Sequence, residues 1–356
     1  MLVGFLLVFA DLAGLSLYGD MFRMHFSAGQ FQVPYDFACF HLAGQFLQYP
    51  NAWNPERVQQ FCPYMYPPAF LFVAKLLSLL PSVLSYSLWM FAGLAVLAAA
   101  AWVVGLRGWR FVLGLFSPAL FYAVDTGQTG LLTSAMLLTA LGTVEKAPAL
   151  AGLAASVVII KPQCGILLPI FFLAGRHYRA FWVASIASCG WLILSVVFFK
   201  MVAWHYYFSI ELPISRIVLD KPWPQPYQGI MVSVFLLLRS LGTGIGFASL
   251  GQAVVSCLCI WTGWKIWCAK MENFPRMVIS LVLLFLVTPY GYIYDLPCLG
   301  VALCGLGGRK GLLTAAFFAL SITLYLPMAM LNIIFGPFLL VMLALVAASY
   351  PKLTVE

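Results

Sequence analysis

The sequence predicts an all-α fold, a polytopic bundle of about 10–12 transmembrane helices. Hydrophobic residues make up 63% of the 356 residues and only 8% are charged, whereas a soluble domain carries roughly 25% charged residues. Apolar runs such as Leu84–Val104, Ala180–Phe199 and Leu312–Met330 approach the ~20 residues that cross a hydrocarbon core. Because these runs are continuous rather than alternating, they favour helices over a membrane β-barrel.

Two long connections interrupt the series of predicted spans. We expect one membrane domain over 1–356, with the first seven spans and an outer loop at 19–65 in residues 1–200, a second outer loop at 201–246, and further spans over 247–356. The predicted spans are 2–18, 66–82, 84–105, 111–124, 129–143, 149–174, 180–200, 247–267, 277–289, 294–306, 312–330 and 335–349.

The net charge of +8 comes largely from basic residues at span ends and does not indicate a nucleic-acid partner. The positive-inside rule places the main basic clusters in the cytoplasm, so both long loops are expected on the opposite face. Arg107 and Arg110 would then lie outside, against that rule. The main clusters are Arg176–Arg179, Lys265–Arg276 and Arg309–Lys310.

The nine cysteines show no metal-ligand spacing, and most lie inside apolar segments. We therefore predict no metal site and no cofactor. Cys39 and Cys62 differ because both fall in the first loop, where a disulfide and two free thiols are open alternatives.

Asp36 is the acid of interest in the first loop. It lies in Val33–Gln48, whose apolar residues recur on one helical face, so this segment is expected to lie in the membrane interface. One interpretation makes Asp36 a functional carboxylate at the mouth of the bundle, and the other makes it the N-cap of the interfacial helix. Tyr66 follows at the entrance of the next span, where an ordinary aromatic belt would also explain it.

Polar residues inside apolar segments provide the other candidates. Lys161 lies near the middle of 149–174, where a charge usually faces a cavity or a partner. Binding of an anionic ligand and a structural ion pair are the two alternatives. Gln128 lies in a break that could be a plain turn, Asp295 follows Tyr294 between two short apolar segments, and Arg216 belongs to the second loop.

Taken together, these motifs resemble glycosyltransferase family 87, the polyprenyl-phosphate-mannose-dependent mannosyltransferases of the membrane-embedded GT-C class. The ordered series covers nearly the whole chain. One position departs from it: relatives acting on mannosyl lipids often carry histidines where this chain has Tyr294-Asp295. The matching pieces are Asp36, Phe37, Phe40 and Gly44, then Tyr66-Pro67-Pro68, Gly127-Gln128, Lys161-Pro162, Gln228, Thr288-Pro289 and Tyr294-Asp295.

The resemblance implies an inverting transfer of a sugar, with mannose expected, from a polyprenyl phosphate to a lipid or glycan hydroxyl. Asp36 would be the catalytic general base. The resemblance implies a multi-pass protein of the bacterial inner membrane, with its site facing the periplasm. A lipid or small-solute transporter or flippase is the alternative from another class. Donor phosphate and sugar would be bound by residues among Lys161, Gln128, Tyr66, Arg216, Tyr294 and Asp295.

Overall fold

The computed structural model describes residues 26–27, 30–46, 64–323, 331–332 and 334–350. The predicted span 2–18 and most of the predicted loop 19–65 lie outside these residues. A pair of two-residue antiparallel strands, β1 (Phe26–Ser27) and β2 (Gln30–Phe31), precedes the helices. The α-helices are α1 (Tyr35–Phe46), α2 (Leu71–Leu77), α3 (Ser82–Val103), α4 (Gly108–Leu115), α5 (Pro118–Thr126), α6 (Gly130–Thr143), α7 (Pro148–Val157), α8 (Leu168–Ala174), α9 (Tyr178–Tyr206), α10 (Leu212–Asp220), α11 (Val234–Ser240), α12 (Ile245–Cys268), α13 (Asn273–Leu286), α14 (Pro297–Gly305), α15 (Gly308–Thr323) and α16 (Gly336–Ala348).

Shorter helical turns extend or join several of these helices. They matter because the polar residues of interest lie in or beside them. The 3₁₀ turns are Pro68–Phe70, Val158–Ile160, Pro162–Cys164, Pro226–Ile230 and Ile293–Asp295, and a π-helical turn, Tyr207–Glu211, joins α9 to α10.

Three long helical segments are apolar enough to cross a membrane: α3, the continuous segment from α9 to α10, and α12. Their outward faces carry large apolar side chains, including Phe91 (72% exposed), Ile186 (70%) and Leu250 (61%). Exposing apolar surface of this extent to water is unfavourable, so these faces are expected to contact lipid. These three segments confirm the predicted class, a helical membrane protein.

Shorter helices form the centre of the molecule. In α13 every residue from Pro275 to Leu286 is buried, and most residues of α6 and α14 are buried as well. These helices pack on one another, and α6 also packs on α3 and α7. At 14 residues each, α6 and α13 are about 21 Å long and are shorter than the outer helices α3 and α12, which have 22 and 24 residues.

Several turns meet at one end of the molecule. The Arg276 guanidinium pairs with Glu145 at 2.5 Å, and the Trp267 ring centroid lies 5.8 Å from that of His177. These contacts bring together the chain after α6, after α8 and between α12 and α13. We call it the basic end, because it carries Lys146, Arg176, Arg179, Lys265, Lys270, Arg276, Arg309 and Lys310.

Arg107 and Arg110 also lie at the basic end, which removes the conflict with the positive-inside rule. Arg110 donates to the Leu306 carbonyl oxygen at 3.5 Å. The chain at Gly305, just before Leu306, packs against the ring of Phe274, so the turn between α3 and α4 joins the same cluster of turns.

The sequence-based error lies in the predicted span 66–82. Its apolar helix covers only Pro68–Leu77, about 15 Å, half the ~30 Å of a hydrocarbon core. It therefore does not cross, and the predicted spans 84–105, 111–124 and 129–143 run in the direction opposite to the prediction.

The predicted span 149–174 is also not one helix. It breaks at Lys161 into α7 with its 3₁₀ turn and a second half ending in α8. Ala174 at the end of that half contacts Cys268 through its carbonyl oxygen, so both halves return to the basic end. Lys161 therefore lies at the tip of a helical hairpin, which explains how a mid-segment lysine reaches a site far from that end.

The predicted outer loop 201–246 is mostly helical. Helix α9 bends at Lys200, where φ is 66° and ψ is 165°, and the chain continues through the π-helical turn into α10. After α10 the chain pairs with the segment before α14, since Val232 N donates to the Gly291 carbonyl oxygen at 2.8 Å.

Candidate functional site

Asp36 lies in the first turn of α1 and is half-buried. Its Oδ2 accepts a hydrogen bond of 2.7 Å from Gln128 Nε2. The helix begins at Tyr35, so Asp36 is inside the helix rather than at the residue before it, where an N-cap stands. The capping interpretation is therefore wrong, and the carboxylate faces the turn between α5 and α6.

Gln128 joins Asp36 to Tyr66. The Tyr66 hydroxyl donates to Gln128 Oε1 at 2.5 Å and lies 3.2 Å from Thr129 Oγ1. All three of these latter side chains are buried. The Gln128 amide oxygen accepts from Tyr66 and its nitrogen donates to Asp36, so the glutamine orients the Asp36 carboxylate. A turn that only connected two helices would not require these hydrogen bonds.

Two glycines shape the turn that carries Gln128. Gly127 ends α5 with a φ of 68°, a left-handed conformation that glycine adopts without steric cost. A Cβ on Gly130 would overlap the carbonyl oxygen of Tyr294. The turn is therefore held tightly against the segment that precedes α14.

Lys161 forms a buried ion pair with Asp295. The Nζ atom lies 2.6 Å from Oδ1 and 2.8 Å from Oδ2, and the two side chains are 3% and 1% exposed. The structural ion pair, one of the two sequence-based alternatives for Lys161, is thus present. One of the three N–H groups of the ammonium is not used by this pair.

Two tyrosines cover the ion pair. Tyr292 and Tyr294 stack with ring centroids 4.9 Å apart, and Lys161 Nζ lies 4.5 Å from the Tyr294 ring centroid. Cation–π contact adds to the stabilisation of the ammonium. Ser134 on α6 fixes the same segment, since its hydroxyl donates to the Asp295 carbonyl oxygen at 3.2 Å.

The environment of Asp36 favours a carboxyl group that can exchange a proton. Burial raises the pKa of Asp36 above its ordinary value. The hydrogen bond from Gln128 and the positive charge of Lys161 act in the opposite direction and lower it. The Lys161 ammonium therefore lies within electrostatic range of the Asp36 carboxylate, and the two clusters belong to one site.

Arg216 lies on α10, apart from this cluster. Its Nε donates to Asp220 Oδ2 at 2.7 Å, and its side chain is 51% exposed. The guanidinium of Arg216 lies within electrostatic range of Tyr290, four residues before Tyr294. Gln228 is not in the site: its amide donates to the Lys221 carbonyl oxygen and accepts from Gln225 N, so it holds the chain after α10.

The structure adds two residues that were not among the predicted members of the site. Glu211, in the π-helical turn, is 6% exposed and lies within electrostatic range of Tyr64 and Tyr207. The Tyr64 hydroxyl is buried without a hydrogen-bond partner among the described residues. A buried acid beside such a hydroxyl and a π-helical turn are both typical of functional sites, but no local motif links Tyr64 to Glu211.

Metal ligation and the disulfide are the remaining sequence-based questions. In the described part of the chain, no three His, Cys, Asp or Glu side chains stand close enough to hold a metal ion. Cys39 takes part in a disulfide, and Cys62 lies outside the described residues.

The comparison with protein families agrees with the sequence motifs. The profile of glycosyltransferase family 87 matches residues 64–289, more than half of the chain. This range includes Tyr66, Gln128 and Lys161 but ends before Asp295 and begins after Asp36. No curated protein and no solved structure matches the chain. The chain belongs to glycosyltransferase family 87.

Proposed function

We propose that this glycosyltransferase moves a sugar, mannose first among the candidates, from a polyprenyl phosphate to a hydroxyl of a lipid or glycan. The observation that carries this proposal is the half-buried Asp36 carboxylate, oriented by Gln128 and Tyr66 and lying in the field of Lys161. A carboxylate that is both oriented and reachable suits general-base chemistry.

The proposed reaction is a single inverting displacement. Asp36 takes the proton of the acceptor hydroxyl as its oxygen forms a bond to the anomeric carbon. The bond from that carbon to the phosphate oxygen breaks, and its electron pair leaves with the polyprenyl phosphate. Stabilising the growing phosphate charge in the transition state lowers the barrier.

Donor recognition requires a cation and hydrogen-bond donors near Asp36. We assign the phosphate to the unused N–H of Lys161 and to Arg216, which is 51% exposed and would exchange its contacts with Asp220 and Ser249 for the phosphate. Asp295 holds the ammonium of Lys161 in place. Tyr66 and Gln128, which are already hydrogen-bonded to each other, orient Asp36 towards the sugar, and Tyr294 contributes the surface of its ring.

We further propose a GT-C type multi-pass protein with its site on the non-cytoplasmic face, in a bacterial inner membrane the periplasmic face. The concentration of Lys and Arg at the basic end, away from Asp36, supports this orientation. The position of α12 relative to α13 supports a site recessed below the ends of the outer helices. Gln252 on α12 donates to the Leu286 carbonyl oxygen at the end of α13. Because α12 begins seven residues before Gln252, at Ile245, it extends about two turns beyond the end of α13.

The transporter alternative has one observation in its favour, because transporters contain broken helices and the chain breaks at Lys161. The two functions differ in the fate of the donor. Purified protein in liposomes is given polyprenyl-phosphate mannose, or other polyprenyl-phosphate sugars, together with acceptor lipid extract. Release of polyprenyl phosphate with a newly glycosylated product supports the proposal, and translocation of intact donor without release contradicts it.

A further inference from the structure

A cavity lies between α15 and α16, at the basic end and away from Asp36. It has a volume of about 610 Å³. Its walls are almost entirely apolar, and two cations stand at one end of it. Its lining residues are Arg309, Lys310, Leu313, Thr314, Phe317, Met342, Leu343 and Val346.

The two cations occupy an electrostatically unfavourable place. Arg309 and Lys310 lie in the first turn of α15, where the helix dipole disfavours positive charge. The Lys310 ammonium donates to Ser349 on the chain after α16, whereas Arg309 has no hydrogen bond or ion pair within the described ranges. Both side chains are exposed, and among the described residues neither forms an ion pair with an acidic side chain.

The backbone at the same turn adds donors to the two side chains. Arg309 and Lys310 are the second and third residues of α15, and the first N–H groups of a helix have no carbonyl acceptor within that helix. Free N–H groups at a helix start, together with two basic side chains, form a site for a phosphate group. A bound anion would accept hydrogen bonds from these N–H groups, and its negative charge would interact favourably with the helix dipole.

The rest of the cavity fits a hydrocarbon chain. From Arg309 to Phe317 the apolar wall of α15 runs about 12 Å along the helix. It runs from the basic end, where headgroups lie, towards the level of the buried helices. This is the geometry of a lipid, with its phosphate at the interface and its chain directed into the membrane.

We propose that the groove between α15 and α16 binds an anionic phospholipid of the surrounding bilayer, with its phosphate on Arg309, Lys310 and the N-terminus of α15. An acyl chain lies along Leu313, Phe317 and Met342. The site is independent of the transferase site and would anchor the last two helices to the lipid leaflet at the basic end.

The test compares charge variants in detergent by native mass spectrometry, with phosphatidylglycerol and phosphatidylcholine as the added lipids. Wild type is expected to retain phosphatidylglycerol in preference to phosphatidylcholine. The Arg309→Gln/Lys310→Gln variant should lose about tenfold or more of its phosphatidylglycerol affinity. The matched control is Arg176→Gln/Arg179→Gln, which removes two cations at the same end outside the groove and should retain that affinity.

A second pair of variants tests the chain-binding part without changing charge. Met342→Trp narrows the groove and should weaken phosphatidylglycerol binding, whereas Leu345→Trp, exposed on the same helix outside the lining, should not. Equal loss in the control variants, or unchanged binding in both groove variants, would overturn the proposal.

Discussion

At the scale of residues, the site is a chain of oriented polar groups in an apolar molecule. Asp36 is partly exposed, whereas Gln128 and Tyr66 are buried. Buried side chains therefore orient the Asp36 carboxylate, and its exposed part remains accessible to substrate. The sequence identified Asp36, Gln128, Lys161 and Asp295 by residue type. It could not identify their partners, because the contacts join residues 92 and 134 positions apart.

The hydrogen bond from Gln128 should set the pH dependence of the reaction. A general base acts as its carboxylate, so the rate falls as the pH drops through the pKa of Asp36, which lies above the ordinary aspartate value. Gln128→Leu removes a bond that lowers this pKa, so the acid limb of kcat/KM should move to higher pH. Tyr66→Phe should move it less, in the same direction. Tyr178→Phe, at the basic end, serves as the control, and an acid limb unmoved by Gln128→Leu would contradict this role.

The Lys161–Asp295 pair predicts a large effect on stability. Lys161→Met leaves Asp295 buried without its cation, which typically costs about 3–5 kcal/mol. Thermal unfolding in detergent should therefore show a strong loss, and Lys161→Met/Asp295→Leu should recover much of it while transfer stays low. Lys200→Met, at an exposed lysine, should be neutral. Lys161→Met with wild-type stability would mean that the pair does not form in the protein.

At the scale of elements, hydropathy predicted where apolar helices lie but not where they turn. Residues 149–174 form one apolar run whether the chain continues or folds back at Lys161, and only Pro162 indicated the break. Hydropathy also makes the predicted span 66–82 longer than the observed helix Pro68–Leu77. The reason is that Leu79 and Leu80 continue the apolar composition after the helix has ended.

Close packing of α6 on the segment before α14 gives a test at this scale. Gly130→Ala places a Cβ on the Tyr294 carbonyl oxygen, so the segment that carries Asp295 must shift. We expect lower thermal stability and loss of transfer activity. Gly190→Ala on α9 meets no atom within 4 Å and should be neutral or slightly stabilising. Equal behaviour of the two variants would show that the contact is not close.

At the scale of the whole molecule, the charge distribution supports the proposed orientation. The basic end gathers cations from turns that are far apart in sequence, and Asp36 lies away from them. The positive-inside rule applied to the sequence predicts this orientation but leaves Arg107 and Arg110 as exceptions. Contacts such as Arg110 to Leu306, which join distant turns, could not be read from hydropathy.

Labelling in intact cells tests this orientation. In a background without the exposed Cys189, Cys257 and Cys268, Lys221→Cys after α10 should react with a membrane-impermeant maleimide. Lys270→Cys at the basic end should react only after the membrane is opened. The reverse pattern would place the site on the cytoplasmic face.

The most direct test of the account is turnover by Asp36→Asn, measured as polyprenyl phosphate released from the donor in the presence of acceptor. Asn keeps the size of the side chain and can accept a hydrogen bond from Gln128, but it cannot take up the acceptor proton. A general base contributes typically 10²–10⁴-fold, so turnover should fall by about 100-fold or more with unfolding unchanged, while Asp125→Asn on α5 retains activity. Wild-type turnover in Asp36→Asn would contradict the assignment of Asp36 as the base, and with it the proposed mechanism.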